Sequence, residues 1–225
     1  MATLYIVATP IGNLRDITFR ALDVLKSVSI IACEDTRRSL KLLTYFEIKT
    51  RLISCRAANE QKAALKLVKE MDGGRDAAYL SDAGSPCLSD PGAVLTRVTA
   101  EAGHKVIPIP GPSAFASLVS VAGGTDKTLV FEGFLSPKSG RRRSRLKELL
   151  AEGAAFVLYE SPFRVLRLLT DLLEFDGGRY ICVGREMTKI HEEYLRGSVT
   201  DVLSELERRP EQKGEFSVFV SGRKA

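Results

Sequence analysis

Four short stretches concentrate the small residues, hydroxyls and carboxylates from which a ligand site is built. They are Thr9-Pro10-Ile11-Gly12-Asn13, Cys33-Glu34-Asp35-Thr36-Arg37, Ser81-Asp82-Ala83-Gly84-Ser85-Pro86 and Pro110-Gly111-Pro112-Ser113-Ala114. Each follows an apolar run that reads as a β-strand, and open α/β sheets bind ligands at the carboxyl ends of their strands. Backbone amides in such turns hold a carboxylate or an adenine edge, and Asp82 could face a cation. The competing reading of any single stretch is an ordinary turn. In the second half, Tyr159-Glu160-Ser161-Pro162-Phe163-Arg164 and Arg185-Glu186-Met187-Thr188-Lys189 also follow apolar runs. Glu160, Glu186 and Lys189 would share a rim with the first four loops if two sheets stack about a hinge, or else serve as caps and surface charges.

Several chemistries are missing. No G-x-G-x-x-G follows the first strand and there is no Gly-Lys pair, which excludes a dinucleotide fingerprint and a Walker A loop. Gly111-Pro112-Ser113-Ala114-Phe115 lacks the final glycine of a nucleophile elbow. Two histidines and four scattered cysteines make no metal-ligand pattern, so no metal is expected. The cysteines read as reduced thiols, and with no secretory signal at the N-terminus a cytoplasmic protein is expected.

The elements that must position these loops alternate. Strands are expected at residues 4–8, 29–33, 52–54, 77–80 and 105–109. Between them fall a helix capped by Thr18 with Phe19, Leu22, Val24 and Leu25 on its apolar side, a helix over 39–46, a helix over 60–71 capped by Asn59, and one after Pro91. This is the form of a parallel sheet built from strand–helix–strand units. Gly123-Gly124-Thr125-Asp126 is the best hinge. Beyond it strands are expected at 129–131, 154–159, 180–183, 193–196 and 216–220, with helices over 141–151, 163–173 and 201–208, the last opened by Thr200. The fold class expected is α/β with two lobes, residues 1–121 and 122–225.

Length agrees: 225 residues at roughly 150 per domain permit one large or two small domains. A hydrophobic fraction of 44% and a charged fraction of 27% are those of a globular chain. The uncharged run 106–125 approaches a bilayer span, but Pro108, Pro110, Gly111 and Pro112 forbid a continuous helix, so no membrane partner is expected. The net charge of +5 permits an anionic partner. It has a focus: Lys138, Arg141, Arg142, Arg143, Arg145 and Lys147 precede any acid before Glu148. That reads as a phosphate-backbone contact or as a solvated helix face.

Taken together, LYIVATPIGNLRDIT from residue 4, ACEDTR at 32–37, SDAGSPCLSDPG at 81–92, IPGPSA at 109–114, FEGFL at 131–135, YESPFR at 159–164, REMTK at 185–189, RGSV at 196–199 and GEF at 214–216 closely resemble the bacterial ribosomal RNA small subunit methyltransferase I family, of the tetrapyrrole-methylase-like superfamily. The resemblance spans nearly the whole chain. It implies a homodimer with a parallel-sheet N-terminal lobe and a mixed-sheet C-terminal lobe. It also implies that the chain binds S-adenosylmethionine between its lobes and methylates the ribose 2′-hydroxyl of a cytidine in the decoding region of 16S rRNA, as free RNA or in the 30S subunit. The implied cofactor positions are Ile11, Ser85, Leu88, Ser113, Ala114, Tyr159, Met187 and Glu215. The loop reading adds Pro10, Gly12, Asp82 and Gly84.

Methyl transfer from a sulfonium needs in-line approach and loss of the ribose proton, without a metal. The candidate bases are Glu34, Asp35, Glu186 and Lys189, with Glu186 and Lys189 favoured; a lysine base requires a lowered pKa. Phosphate contacts are assigned to Arg141, Arg142, Arg143 and Arg145, with Arg37, Arg38 and Arg164 lining the cleft. Where relatives carry H-E-H-N-E this chain reads Arg56-Ala57-Ala58-Asn59-Glu60, so no histidine role carries over. Many relatives continue past the final strand, and an accessory RNA-binding tail is not expected here. The alternatives are a small-molecule methylase acting on a tetrapyrrole and a non-catalytic RNA-binding relative.

Overall fold

The structure is a computed structural model and describes residues 1–124 and 127–223; Thr125 and Asp126 of the anticipated hinge lie outside the described residues. Two compact units make up the chain, Met1–Ser113 and Ala114–Ala225. The division precedes the expected 121/122 boundary because helix α5 (Ala114–Ala122) packs on strands of the second unit, and the Tyr180 hydroxyl donates to the Ala122 carbonyl at 2.7 Å.

In the first unit β1 (Thr3–Val7), β2 (Ile30–Cys33), β3 (Arg51–Ser54), β4 (Ala77–Leu80) and β5 (Lys105–Ile109) form one parallel sheet in the order β3-β2-β4-β1-β5. Its helices are α1 (Phe19–Ser27), α2 (Thr36–Tyr45), α3 (Glu60–Asp72) and α4 (Ala93–Glu101). Every residue of β2 and β4 is buried, as strands of a sheet covered on both faces must be. Alternation along the strands fills two cores. One gathers Leu4, Ile30, Tyr79, Leu67 and Met71, the other Val7, Ile31, Leu80, Leu25 and Leu43.

Three local expectations change. Phe19 is 89% exposed, while Leu25 is buried together with Ala21; Leu22 and Val24 pack partly buried against the core, and Thr18 caps the helix through the Ala21 amide at 3.1 Å. Helix α2 begins at Thr36 rather than Ser39 because the Asp35 carboxylate caps it. Asn59 leaves α3 uncapped, its side-chain oxygen instead accepting from the Arg56 amide at 2.7 Å.

The second unit holds β6 (Leu129–Phe134), β7 (Ala155–Glu160), β8 (Tyr180–Arg185), β9 (Glu193–Ser198) and β10 (Phe216–Val220) in the order β6-β7-β10-β8-β9. Only β6 and β7 pair in parallel, so this sheet is mixed. Strand β6 outruns its expected end through an irregularity between Phe131 and Gly133. Helices α6 (Ser139–Glu152), α7 (Val165–Asp176) and α8 (Val199–Glu207) complete the unit, around a core of Leu146, Phe156, Leu158, Leu169, Leu203 and Val218. Ser198, not Thr200, opens α8. Its hydroxyl accepts from the Asp201 amide at 3.1 Å while the Asp201 carboxylate accepts from the Ser198 amide at 3.3 Å. Among the described residues no helix is long and apolar enough to cross a membrane.

Candidate active site

Because β2, β4, β1 and β5 are adjacent and parallel, the four loops that follow them lie along one edge of the first sheet. The first and third are stitched together: Thr9 and Gly84 exchange backbone hydrogen bonds at 2.9 Å in both directions. Gly84 has φ +75°, and a Cβ there would meet the Ile11 side chain at 3.4 Å. The Ser85 hydroxyl donates to the Pro112 carbonyl at 3.4 Å, which draws in the fourth loop. The structure thus gathers Ile11, Gly84 and Ser85 beside Pro112. Pro10, Leu88 and Ser113 are half-buried on the same loops and Gly12 is exposed. Ala114 opens α5.

Beside these loops stands a group of carboxyls. Asp82 accepts from the Asp35 amide at 3.0 Å and pairs with Arg38 at 3.2 Å. Glu34 is half-buried. Burial pushes its carboxyl above the ordinary value and the charge of Asp82 adds to this, with Arg38 offsetting part. Asp90 is pushed up to about 6, first by burial and then by the charges of Glu34 and Asp82, while a hydrogen bond from Ser81 pulls the other way. Asp35 behaves oppositely. Its carboxylate accepts from the Arg37 side chain and amide, which hold it well below the usual carboxylate range. Asp35 is therefore a helix cap rather than a base, and Arg37 is its partner.

In the second unit the favoured bases lock each other. The Lys189 ammonium lies 2.7 Å from the Glu186 carboxylate and 3.0 Å from that of Glu215, and the Glu215 amide donates to Glu186 at 2.9 Å. Burial would raise the Glu186 carboxyl, but the hydrogen bonds from Lys189 and the Glu215 amide outweigh it and hold the group below its ordinary value. For Lys189 burial works downward, yet the hydrogen bonds to Glu186 and Glu215 leave its pKa raised. A lysine base needs a lowered pKa and a carboxylate base a free lone pair, and this ion pair works against both. The clasp is tight: Glu186 sits at φ +49°, and a Cβ on Gly214 would collide with its carboxyl. Met187 is buried against Gly184, and Tyr159 lies edge-on to Phe131 and Phe134 with centroids 5.1 and 5.7 Å away.

The basic helix is also rewritten. Arg142 is buried, its guanidinium 2.6 Å from Asp171 on α7. Arg143 pairs with Asp171 and Glu174 and lies over the Phe175 ring, and Arg145 pairs with Glu132, Glu148 and Glu152. These three arginines tie α6 to its neighbours through carboxylates already inside the fold. Arg141 and Lys138 are exposed. Arg164 is held by the buried Glu160 carboxylate at 2.6 Å, so it braces the end of β7. Two residues absent from the expectations emerge. Asp90 stands within the 81–92 run itself. Glu60 reaches that run from α3, and nothing local in the sequence announces it.

The chain is similar to known proteins. The pattern of the tetrapyrrole (corrin/porphyrin) methylases matches residues 3–203. A Borrelia garinii protein named ribosomal RNA small subunit methyltransferase I is 48% identical over 97% of this chain and 98% of its own length. A Thermotoga maritima protein of the same name is 43% identical over 99% of this chain and 100% of its own. Among solved structures, a cobalt precorrin-4 methyltransferase superposes with a TM-score of 0.70 over 97% of this chain and 94% of its own, at 14% identity, a likeness of fold alone.

Proposed function

Because this chain belongs to the ribosomal RNA small subunit methyltransferase I family, within the tetrapyrrole methylases, we propose that it methylates small subunit ribosomal RNA at the 2′-hydroxyl of a cytidine ribose in the 16S decoding region. The family is one of methyltransferases and its methyl donor is S-adenosylmethionine. The first-unit loops fit that donor. A glycine at φ +75° beside Ile11 keeps side chains out of the turn, and the small loop residues present backbone groups to a purine edge and an amino acid moiety. The observation that carries the reading is the convergence of these loops at the carboxyl ends of four adjacent parallel strands.

When bound, the cofactor supplies a methyl group already activated on its sulfonium. What remains for the chain is to orient the ribose hydroxyl in line and accept its proton. Glu34 is the group we assign to that proton. It directly follows β2, is half-buried, and has its affinity for protons raised by burial and by Asp82, the tuning a general base needs. Arg38, 69% exposed at its side chain and anchored to Asp82, positions a phosphate near Glu34. Arg141 on α6 and Lys138 at its N-cap supply further contacts to the RNA phosphates.

The test is incubation with methyl-labelled cofactor and, separately, isolated 16S RNA, assembled 30S subunits and a porphyrin precursor, followed by nucleoside analysis. Label in 2′-O-methylcytidine supports the reading. Label in a methylated base, or in the porphyrin alone, overturns it.

A further inference from the structure

Gly92, the N-cap of α4, has no side chain with which to satisfy the first amides of that helix. Nor could it carry one. Its φ is +130°, and a Cβ would approach the Tyr79 ring at 2.7 Å and the Cys87 sulfur at 2.8 Å. The missing cap comes from another helix. One carboxylate oxygen of Glu60, the first residue of α3, accepts from the amides of Gly92, Val94 and Leu95 at 2.9, 2.8 and 3.0 Å. Glu60 is itself buried, at 8% exposure, and its charge meets the positive end of the α4 dipole.

The loop that ends at Gly92 needs such a holder. Cys87 and Ser89 adopt φ +68° and +66°, a region costly for residues with a side chain, and strain of this kind persists only where surroundings over-determine it. The loop's start is fixed by the Thr9–Gly84 bridge and its end by Glu60. We propose that Glu60 is a positioning residue for the cofactor: it holds residues 81–92 in the conformation that presents Gly84, Ser85 and Leu88 to S-adenosylmethionine. The inference rests on the cofactor reading of that loop.

The experiment compares Glu60→Ala, Glu60→Gln, Leu67→Ala and Gly84→Val in steady-state methyl transfer to small subunit ribosomal RNA, each at a temperature where circular dichroism shows it folded. Leu67 is a buried α3 residue of the same core, remote from the loop in sequence, and serves as the control for general loss of stability. Glu60→Ala should raise the cofactor KM by at least about tenfold with kcat nearly unchanged, since small misplacements of binding groups cost up to about a hundredfold. Glu60→Gln, which keeps a carbonyl acceptor, should recover most of that loss, and Leu67→Ala should leave KM within about twofold. Should Glu60→Ala fail to fold, Glu60→Asp, one methylene too short to reach all three amides, takes its place: a raised KM with faster hydrogen exchange at Gly92, Val94 and Leu95 supports the role, and an unchanged KM overturns it. Equal KM values for Glu60→Ala and Leu67→Ala overturn it too. If Gly84→Val raises KM and the Glu60 variants do not, only the positioning role falls; if Gly84→Val also leaves KM unchanged, the cofactor reading of the loop falls with it.

Discussion

Asp35 apart, the acids with shifted proton affinities in the two units live under opposite conditions. At the loops of the first unit Glu34 and Asp90 are partly buried near a third carboxylate, Asp82, and both are driven toward holding a proton. In the second unit Glu174, Glu186 and Glu193 each sit against a cation and Glu192 accepts from the Thr188 amide and the Tyr194 hydroxyl; all four are driven toward ionisation. The second arrangement joins elements together. The first leaves charge poorly compensated, a condition that costs stability and that folded proteins tolerate where chemistry needs it. Charge density in a sequence therefore locates neither kind of site; what decides is whether the counter-charge is already inside the fold.

The sharpest way to break this contrast is to neutralise one acid from each unit. Glu34→Gln should lower single-turnover methyl transfer by about 10²–10⁴-fold, the usual worth of a positioned base, without loss of cofactor binding. Glu186→Gln should cost less than about tenfold. The reverse ranking would return the base to the second unit. Next in size, Asp171→Ala strands the buried Arg142 guanidinium and should destabilise the fold by about 3–5 kcal/mol in urea unfolding. A loss below about 1 kcal/mol would mean that the α6–α7 pairing is ornamental.

Asp90 gives a smaller, pH-dependent effect. Its folded pKa is about 6 against an ordinary 3.8, so the folded state binds the proton more tightly than the unfolded chain. Stability linked to it is complete below about pH 4 and is lost as pH rises through about 6. Asp90→Asn should therefore match the parent near pH 4 and exceed it at pH 8 by on the order of 1 kcal/mol, after allowance for partial exposure. Melting curves across that range would show it, and a gain confined to acid pH would contradict the burial of the group. Smallest is the salt response of RNA binding. Replacing Arg141 or Lys138 with alanine should lower the slope of log K against log salt by about one each. An equal reduction from Arg143→Ala, with folding intact, would put that ion-paired residue back on the RNA.

Much of the frame could be read from residues alone. The apolar runs of β2, β4 and β10 lie within a residue of expectation because strands buried on both faces leave an uninterrupted signal, and β1 and β5 do so too although β5 is a largely exposed edge strand. The four loops were legible for the same reason, each marking where such a run ends. What escaped was pairing at a distance. The runs 138–147 and 185–189 look like free charge until α7, β6 and residues 214–215 are folded against them, and the cap from Glu60 to Gly92 spans 32 positions. The start of α2 was missed for a local reason: Asp35 was read as chemistry when it was also the better helix cap.

The placement of β1 has a kinetic consequence. Among the described strands it is made first, yet both of its neighbours come late: Leu4 pairs with Ala77 and Thr3 with Lys105. Until residue 109 has been synthesised β1 has an unsatisfied edge, and until residue 84 the loop after it has no partner across the bridge. Non-local parallel pairing of this kind folds slowly, because the chain must close long loops before any contact rewards it. The edge proposed to hold the cofactor therefore cannot be complete before β5 is made, and a chain truncated within the first unit exposes unpaired hydrophobic strand.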